Sequence, residues 1–339
     1  MVMRKLLLKS IGLSTCLVLI GMPAIASLNA PVNLDNPRVV PIFGQDNSSQ
    51  ITDTAGWSGY LYSPRIVFSA AHSHYRFDNS GNRILQEARY ITVGKPNSAT
   101  SNKAGRVKVV KTFVGDYKTS TVGGLNDFIV YVLEKDLIDI EPGKLLTASI
   151  EKELVTAQTE VRMHGYGEYQ DRCAASEPLP CKKDFNDPKM RTSELPRSPT
   201  GSMKLVAPSY FPWLEGKQLQ DLTNETLLSD NLACSGDSGG PITALYKGDS
   251  IYLGTTPLGF TPGYYCGAGT SRTTTKPIGF FSPVYKHQDL INAAESFIKA
   301  GTISGANPSS KSSITCNKGK LVKKVTGINP KCPKGYIKK

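Results

Sequence analysis

The 339-residue chain carries a formal net charge of +12, 31 Gly, 22 Pro and a moderate apolar content of 39%, a balance that disfavours long amphipathic helices and points to a loop-rich β protein with an ample core. The charge is uneven: residues 1–26 hold Arg4, Lys5 and Lys9, residues 301–339 hold nine Lys, and neither segment has an acid, so the body between them is neutral. That distribution argues against a nucleic-acid-binding core, which needs its basic surface on the folded body.

The first 26 residues read as an export signal. Met1 to Lys9 is a basic stretch, Ile11 to Met22 is apolar, and Ala24-Ile25-Ala26 fits the small-x-small cleavage pattern. The apolar run is shorter than the roughly 20 residues a membrane span needs, and Pro23 ends it. A secreted protein is therefore expected, and Cys16 leaves with the signal. Six Cys remain: Cys173, Cys181, Cys234, Cys266, Cys316 and Cys332. An even number in an exported chain suggests disulfides, with about 15 connectivities open. Pairing sequence neighbours, Cys173–Cys181, Cys234–Cys266 and Cys316–Cys332, is the most economical. The chain has no Cys-x-x-Cys and no His beside a Cys pair, so a metal site is not expected at these residues.

Residues 27–38 read as an extended leader, with Asn36-Pro37-Arg38 before the apolar Val39-Val40-Pro41-Ile42. Short β-type runs follow: Gly59–Tyr62, Arg65–Ser69, Tyr90–Val93, Val107–Val114, Phe128–Leu133 and Val161–His164. Turn residues such as Asp78-Asn79-Ser80-Gly81-Asn82 and Gly123-Gly124 separate them, a pattern of antiparallel barrels or a sandwich. Residues 167–200 are polar and Pro-rich, a surface insertion stapled by Cys173 and Cys181 if these pair. Further runs fall at Lys204–Ala207, Pro241–Tyr246, Ile251–Thr255 and Ile278–Phe281. One amphipathic helix is predicted, Gln288–Lys299, with Leu290, Ile291, Ala294, Phe297 and Ile298 near one face. A polar linker over 301–314 leads to a Lys-rich segment, 315–339, too short for a core of its own and dependent on a Cys316–Cys332 bond for a fixed shape.

Three segments carry chemistry. Gly236-Asp237-Ser238-Gly239-Gly240-Pro241 suits an exposed nucleophile, with Gly236 and Ser238 N–H groups available to a negative oxygen. A Ser hydroxyl needs a base in contact with it. Of His72, His74, His164 and His287, His72 is the best placed, at the end of the run Val67-Phe68-Ser69-Ala70-Ala71. His74 faces the opposite way if the chain stays extended; a His-x-His metal pair has no third His or carboxylate nearby. His164 reads as a strand residue and His287 flanks the terminal helix. Asp127, immediately before the apolar run Phe128–Leu133, suits the acceptor that orients an imidazole.

Ser69-Ala70-Ala71-His72, Asn126-Asp127-Phe128-Ile129-Val130 and the Ser238 block occur in the order His, Asp, Ser. Together they resemble the trypsin/chymotrypsin family of serine endopeptidases in its secreted bacterial form. The resemblance extends to Trp57-Ser58-Gly59-Tyr60-Leu61, Gly165-Tyr166-Gly167 and Pro277–Val284, and covers roughly residues 39–300. It implies an all-β fold of two six-stranded antiparallel β-barrels with a C-terminal helix, followed here by the short stapled basic tail. It also implies a catalytic triad of His72, Asp127 and Ser238, an oxyanion hole from Gly236 and Ser238, no cofactor, and a monomer acting on proteins or peptides. Cys234 and Cys266 match the family's Cys pair beside the nucleophile loop. Leu232 matches the base of the specificity pocket, Gly259 and Gly279 its small lining residues, and Leu there predicts an apolar P1 residue because it cannot pair a cation.

There are departures. No Cys lies between 17 and 172, so the disulfide beside the catalytic His is missing, and Pro257-Leu258-Gly259 replaces the family's Ser-Trp-Gly. Arg38-Val39-Val40 resembles an activation cleavage point, making 27–38 a propeptide and Asp237 the partner of the new N-terminus, although Pro41-Ile42 is not the family's Gly-Gly. The tail resembles lysine-rich, Cys-containing ends of exported actinobacterial proteins, and its charge suits an anionic cell-wall polymer or membrane surface. The competing reading is a catalytically silent protease-like binding protein attached to the cell surface through that tail.

Overall fold

Apolar runs between Gly, Pro and Asn turns fold, in the computed structural model, as a succession of short strands that includes the predicted runs, some with shifted ends. The structure describes residues 31–45, 55–77, 83–85, 90–97, 105–115, 117–120, 123–167, 196–198, 203–211, 216, 227–230, 236–260, 278–301, 312–319, 321–327 and 332–338. The first half comprises β1 (Val39–Gln45), β2 (Trp57–Ser63), β3 (Ile66–Ser69), β4 (Tyr75–Phe77), β5 (Arg83–Leu85), β6 (Tyr90–Val93), β7 (Val107–Val114), β8 (Lys118–Ser120), β9 (Gly123–Leu125) and β10 (Ile129–Leu133). Six of these close a barrel in the order β1-β2-β3-β10-β7-β6, and β4–β5 and β8–β9 are side hairpins.

The second half begins with β11 (Lys144–Leu145), a helix α1 (Ala148–Thr156), β12 (Glu160–Met163), β13 (Met203–Lys204) and β14 (Leu227–Ser229). It continues with β15 (Pro241–Tyr246), β16 (Asp249–Phe260), β17 (Ile278–Pro283) and the terminal helix α2 (Gln288–Lys299). The sheet order is β13-β12-β15-β16-β17-β14. A bridge between Leu205 and Ser229, and bonds from Val206 N–H to Leu228 O and Asp230 N–H to Lys204 O, bring its two ends together. This barrel is nearly closed.

Several features differ from the expectation: Gly123-Gly124, read as a turn, lies within β9, and the hairpins β4–β5 and β8–β9 and the strand β14 are not among the predicted runs. The second sheet holds a seventh strand, since β11 pairs in parallel with β16 at Ile251 and Tyr252. The reason is that β17 pairs only with Gly254 to Phe260, leaving that edge of β16 open. The helix α1 has no counterpart among the predicted elements. It is capped by the Thr147 side chain, which accepts from Ile150 N–H, and buries only Leu154, so its apolar pattern is too brief to read. The predicted helix Gln288–Lys299 forms over that range, with Ile291 and Ala294 buried and Phe297 against Phe113.

Strand period explains how one chain builds two layers of core. Along β10, Ile129, Tyr131 and Leu133 point into the first barrel, whereas Val130, Val132 and the preceding Phe128 face the second barrel and α2. Every residue of β10 is buried, so the strand reads as a continuous apolar run. On β3, Val67 points inward and Ile66 and Phe68 outward; on β2, Trp57 and Leu61 point inward and Tyr60 outward. The outward residues meet Tyr252 of β16, whose ring lies 4.2 Å from that of Tyr60 and 5.5 Å from that of Phe68. Burying each such ring contributes on the order of 2–3 kcal/mol, so the seam between the barrels is itself a core. The alternation of β2 places Ser58 on this seam.

The basic tail is a small sheet. β18 (Ser312–Lys318), β19 (Leu321–Gly327) and β20 (Ile337–Lys338) run antiparallel in the order β19-β18-β20. Cys316, fully buried, is bonded to Cys332, the pairing expected for this segment. Closing a loop of about this size contributes roughly 3 kcal/mol, which a sheet this small needs. The other two expected pairings, Cys173 with Cys181 and Cys234 with Cys266, lie outside the described residues, as does most of the 167–200 insertion.

Candidate active site

His72 follows β3 directly. After Ser69 the chain passes through the buried Ala70 and Ala71 into a 3-10 turn, Ala71–His74, rather than continuing extended. The small side chains let this backbone lie against its neighbours, and the turn gives the two histidines different surroundings. His74 is buried with its ring 5.3 Å from that of Tyr131. His72 keeps about a quarter of its side chain exposed and turns to Asp127.

Asp127 is fully buried. Asn126 adopts a positive φ of 55°, which Asn tolerates better than most residues, and Phe128 N–H bonds back to Asn126 O at 2.8 Å. This tight turn precedes β10 and directs the carboxylate toward β3. One oxygen accepts the His72 backbone N–H at 2.8 Å, and the other lies 2.6 Å from His72 Nδ1. The two contacts fix both the ring and the main chain that carries it. With Nδ1–H donating to the carboxylate, the proton-free nitrogen is Nε2. The Asp127 carbonyl accepts from Thr255 Oγ1 at 3.0 Å, tying the turn to β16 of the second barrel.

The Ser238 segment is a turn closed by Gly240 N–H to Asp237 O, 2.8 Å. Its third residue, Gly239, has φ +79°, the conformation a type II turn requires. Gly239 is also where the turn meets the first barrel: a Cβ there would lie 2.0 Å from Ser69 Oγ, 2.4 Å from Ser58 O and 2.8 Å from Ala70 N. The turn is sewn to both barrels. Ser58 N–H donates to Ser238 O at 2.9 Å, Gly239 N–H donates to Thr256 O at 2.7 Å, and Thr256 N–H donates to Gly240 O at 3.0 Å. Thr256 is available because the β16–β17 register breaks between Thr255 and Leu258, and a bulge of this kind redirects backbone groups out of the ladder.

Ser58 stands out in the sequence only as part of a longer block, and it proves central. Fully buried, it donates its hydroxyl to Gly236 O at 2.9 Å and accepts Tyr166 N–H at 2.8 Å. Its own carbonyl accepts Ser69 Oγ–H at 2.8 Å. Gly236, with φ +86°, thus has its carbonyl held and its peptide orientation set. Beside it, the buried Asp237 accepts Gly167 N–H at 3.0 Å. A serine inside an apolar strand gives no signal of such a role; only the seam-facing register of β2 reveals it.

The pocket residues are reached in part. Across three adjacent strands Ser229, Gly279 and Gly259 stand in register, forming a wall with no side chain larger than a hydroxymethyl. Leu232, Cys234 and Cys266 lie outside the described residues. A cavity of about 530 Å³ on the far side of β12 and β15, lined by Asp35, Arg162, His164 and Ser250, contains none of His72, Asp127 and Ser238.

His164 and His287 are support groups. Burial lowers the pKa of each to about 4, reinforced by Arg162 at His164 and outweighing the opposing pull of Asp289 at His287. His287 stacks on Phe128 with ring centroids 4.4 Å apart, and its Nε2 lies 2.7 Å from Ser282 Oγ. Both rings stay neutral in the fold down to about pH 4, while in the unfolded chain they protonate near 6.5. Their contribution is therefore complete above about pH 6.5 and is lost as pH falls toward 4, on the order of 2–3 kcal/mol for each by pH 4.5. Urea unfolding at pH 7.5 and 4.5 measures this. The wild-type midpoint should drop more than that of His164→Gln/His287→Gln, and equal drops would refute the assignment.

No family model matches the chain, and no curated protein matches it.

Proposed function

We propose that this protein is a secreted serine endopeptidase with the trypsin-like fold. The observation that carries this is the doubly bonded His72–Asp127 pair, set in a closed barrel against a second, nearly closed one, with the Ser238 turn seated on Ser69 and Ala70. Ser238 Oγ attacks the scissile carbonyl as His72 Nε2 takes its proton, and Asp127 stabilises the imidazolium. The tetrahedral oxyanion is received by Gly236 and Ser238 N–H groups; the positive φ of Gly236 and the Ser58 hydroxyl on its carbonyl support this orientation. Collapse expels the amine, which takes the proton from His72 and leaves an acyl-Ser238. Water, deprotonated by the same His72, then releases the acid.

The substrate is a protein or peptide with an apolar P1 residue. Support comes from the open wall of Gly279 and Gly259 and from Leu232 at the base implied by the resemblance. The tail keeps the enzyme at an anionic cell surface, for its lysines have no acidic neighbours in 301–339 and Leu321, Val322 and Ile337 are exposed among them.

A fluorophosphonate probe tests the chemistry. The folded protein should be labelled stoichiometrically, with the adduct mapping to Ser238. A folded protein that stays unlabelled would instead favour a binding role for the same fold.

A further inference from the structure

We propose that residues 31–38 are a positioning strap of the working enzyme, retained rather than removed, which holds the Ser238 turn through Asp237. The inference rests on the protease reading for its catalytic part only.

The strap is anchored to both barrels. Asn33 N–H donates to Pro196 O at 2.9 Å, and Val32 bridges Arg197. Arg162 of β12 pairs with Asp35 at 3.3 Å, and Asn97, just after β6, donates to Leu34 O at 3.3 Å. Asn33 and Asn36 each fold the segment on itself, accepting from Asp35 N–H and Arg38 N–H. At its end, the Arg38 guanidinium donates to the carbonyls of Leu61, Tyr62 and Glu141. The next residue, Val39, opens β1, is fully buried, pairs with Tyr60 of β2 and has its carbonyl bonded by Tyr166 Oη–H at 3.3 Å. The Arg38–Val39 bond is thus the start of a barrel strand with its side chains engaged on both sides.

From the strap a ladder runs inward. Arg197, bridged to Val32 on one side, exchanges both backbone bonds with Gly165 on the other, at 3.1 and 2.8 Å. Gly165 and Gly167 then cradle Asp237: a Cβ on either would lie 2.1 or 2.4 Å from its Oδ1, and Gly167 N–H donates to that oxygen. Between them, Tyr166 N–H binds Ser58 Oγ, the group that also holds Gly236 O. His164 on the near side bonds through its N–H to Pro241 O. The segment 164–167 therefore touches the nucleophile turn at both ends, and the strap is its outermost support. An intact leader and a seated Asp237 coexist in one structure, so cleavage after Arg38 would cut the support rather than create it.

Three proteins test this: the full chain, a chain beginning at Val39, and Asn33→Pro, which removes one rung even if the shortened chain does not fold. Amide exchange of the peptide spanning Met163 to Gly167 reads the coupling, and peptide hydrolysis reads the consequence. Loss of one rung should speed Gly167 exchange about tenfold and lower kcat about tenfold, with KM within about twofold. Unchanged exchange, or a Val39-starting chain more active than the full one, overturns the strap. A full chain that hydrolyses nothing yet shows the exchange difference overturns the protease reading and leaves the coupling standing.

Discussion

Ser238→Ala should lower kcat for a peptide substrate by about a million-fold while leaving KM and the melting temperature nearly unchanged. Ser238 is the second residue of its turn and half-buried, and around it the turn is held through main-chain atoms: its carbonyl to Ser58 N–H, Gly239 N–H to Thr256 O, and Gly240 N–H to Asp237 O. Alanine keeps all of these, so the expected stability change is within about 0.5 kcal/mol. In the proposed reaction, what disappears is the atom that becomes covalently bonded. In that reaction Ser238 and His72 act as a unit, so His72→Ala should cost about as much, and the double variant little more. Steady-state kinetics on the three variants distinguishes this from a binding protein. If Ser238→Ala keeps most of the hydrolysis, Ser238 is not the nucleophile.

Asp127→Asn should lower kcat by about ten-thousand-fold with the fold intact. The carboxylate has two jobs, one oxygen accepting the His72 backbone N–H and the other meeting Nδ1 at 2.6 Å. Asparagine can keep the first through its carbonyl oxygen, but its NH2 then faces Nδ1 and donates to it. That contact stabilises the tautomer with the proton on Nε2, the nitrogen that accepts the Ser238 proton in the proposed reaction. The fault is one of proton position, so the variant should unfold near the wild-type midpoint. Asp127→Ala is the control: it leaves the His72 N–H without its acceptor at a buried position and should cost about 1–3 kcal/mol in addition. Nitrogen chemical shifts of the His72 ring report the tautomer directly. An Asp127→Asn protein with wild-type activity would remove Asp127 from the mechanism.

The local chemistry is readable where residue type alone is informative. Ser238 between glycines, His72 after two alanines and Asp127 ahead of an apolar strand each announce an unusual local backbone. The strand runs at Tyr90–Val93, Val107–Val114 and Pro241–Tyr246 form over the ranges their composition indicates. The helix Gln288–Lys299 does so too, because five apolar residues on one face outweigh any alternative. Shorter signals fail. The helix Ala148–Thr156 has a single buried residue, and β14 is three residues long, so neither has enough period to be seen. The tail errs the other way: seven-residue strands rich in Lys and Thr make a sheet once Cys316 and Cys332 are joined.

The order His72, Asp127, Ser238, strand runs such as Arg65–Ser69 and the places where glycine lets the backbone turn can be read from the chain before it is folded. These depend on neighbours a few residues apart, whose geometry is set by covalent structure and side-chain period. Three further facts emerge only on packing: Ser58 joins Tyr166 to Gly236, the Thr256 bulge meets Gly239, and Asp237 fills the space where side chains on Gly165 and Gly167 would lie. Apart from Gly239 with Thr256, which lie in the same half of the chain, those contacts join residues some 70 to 180 positions apart, and they exist only when two barrels bury a shared aromatic seam. The Ser238 turn is legible as a motif; what holds it still is a property of the interface between two folded halves.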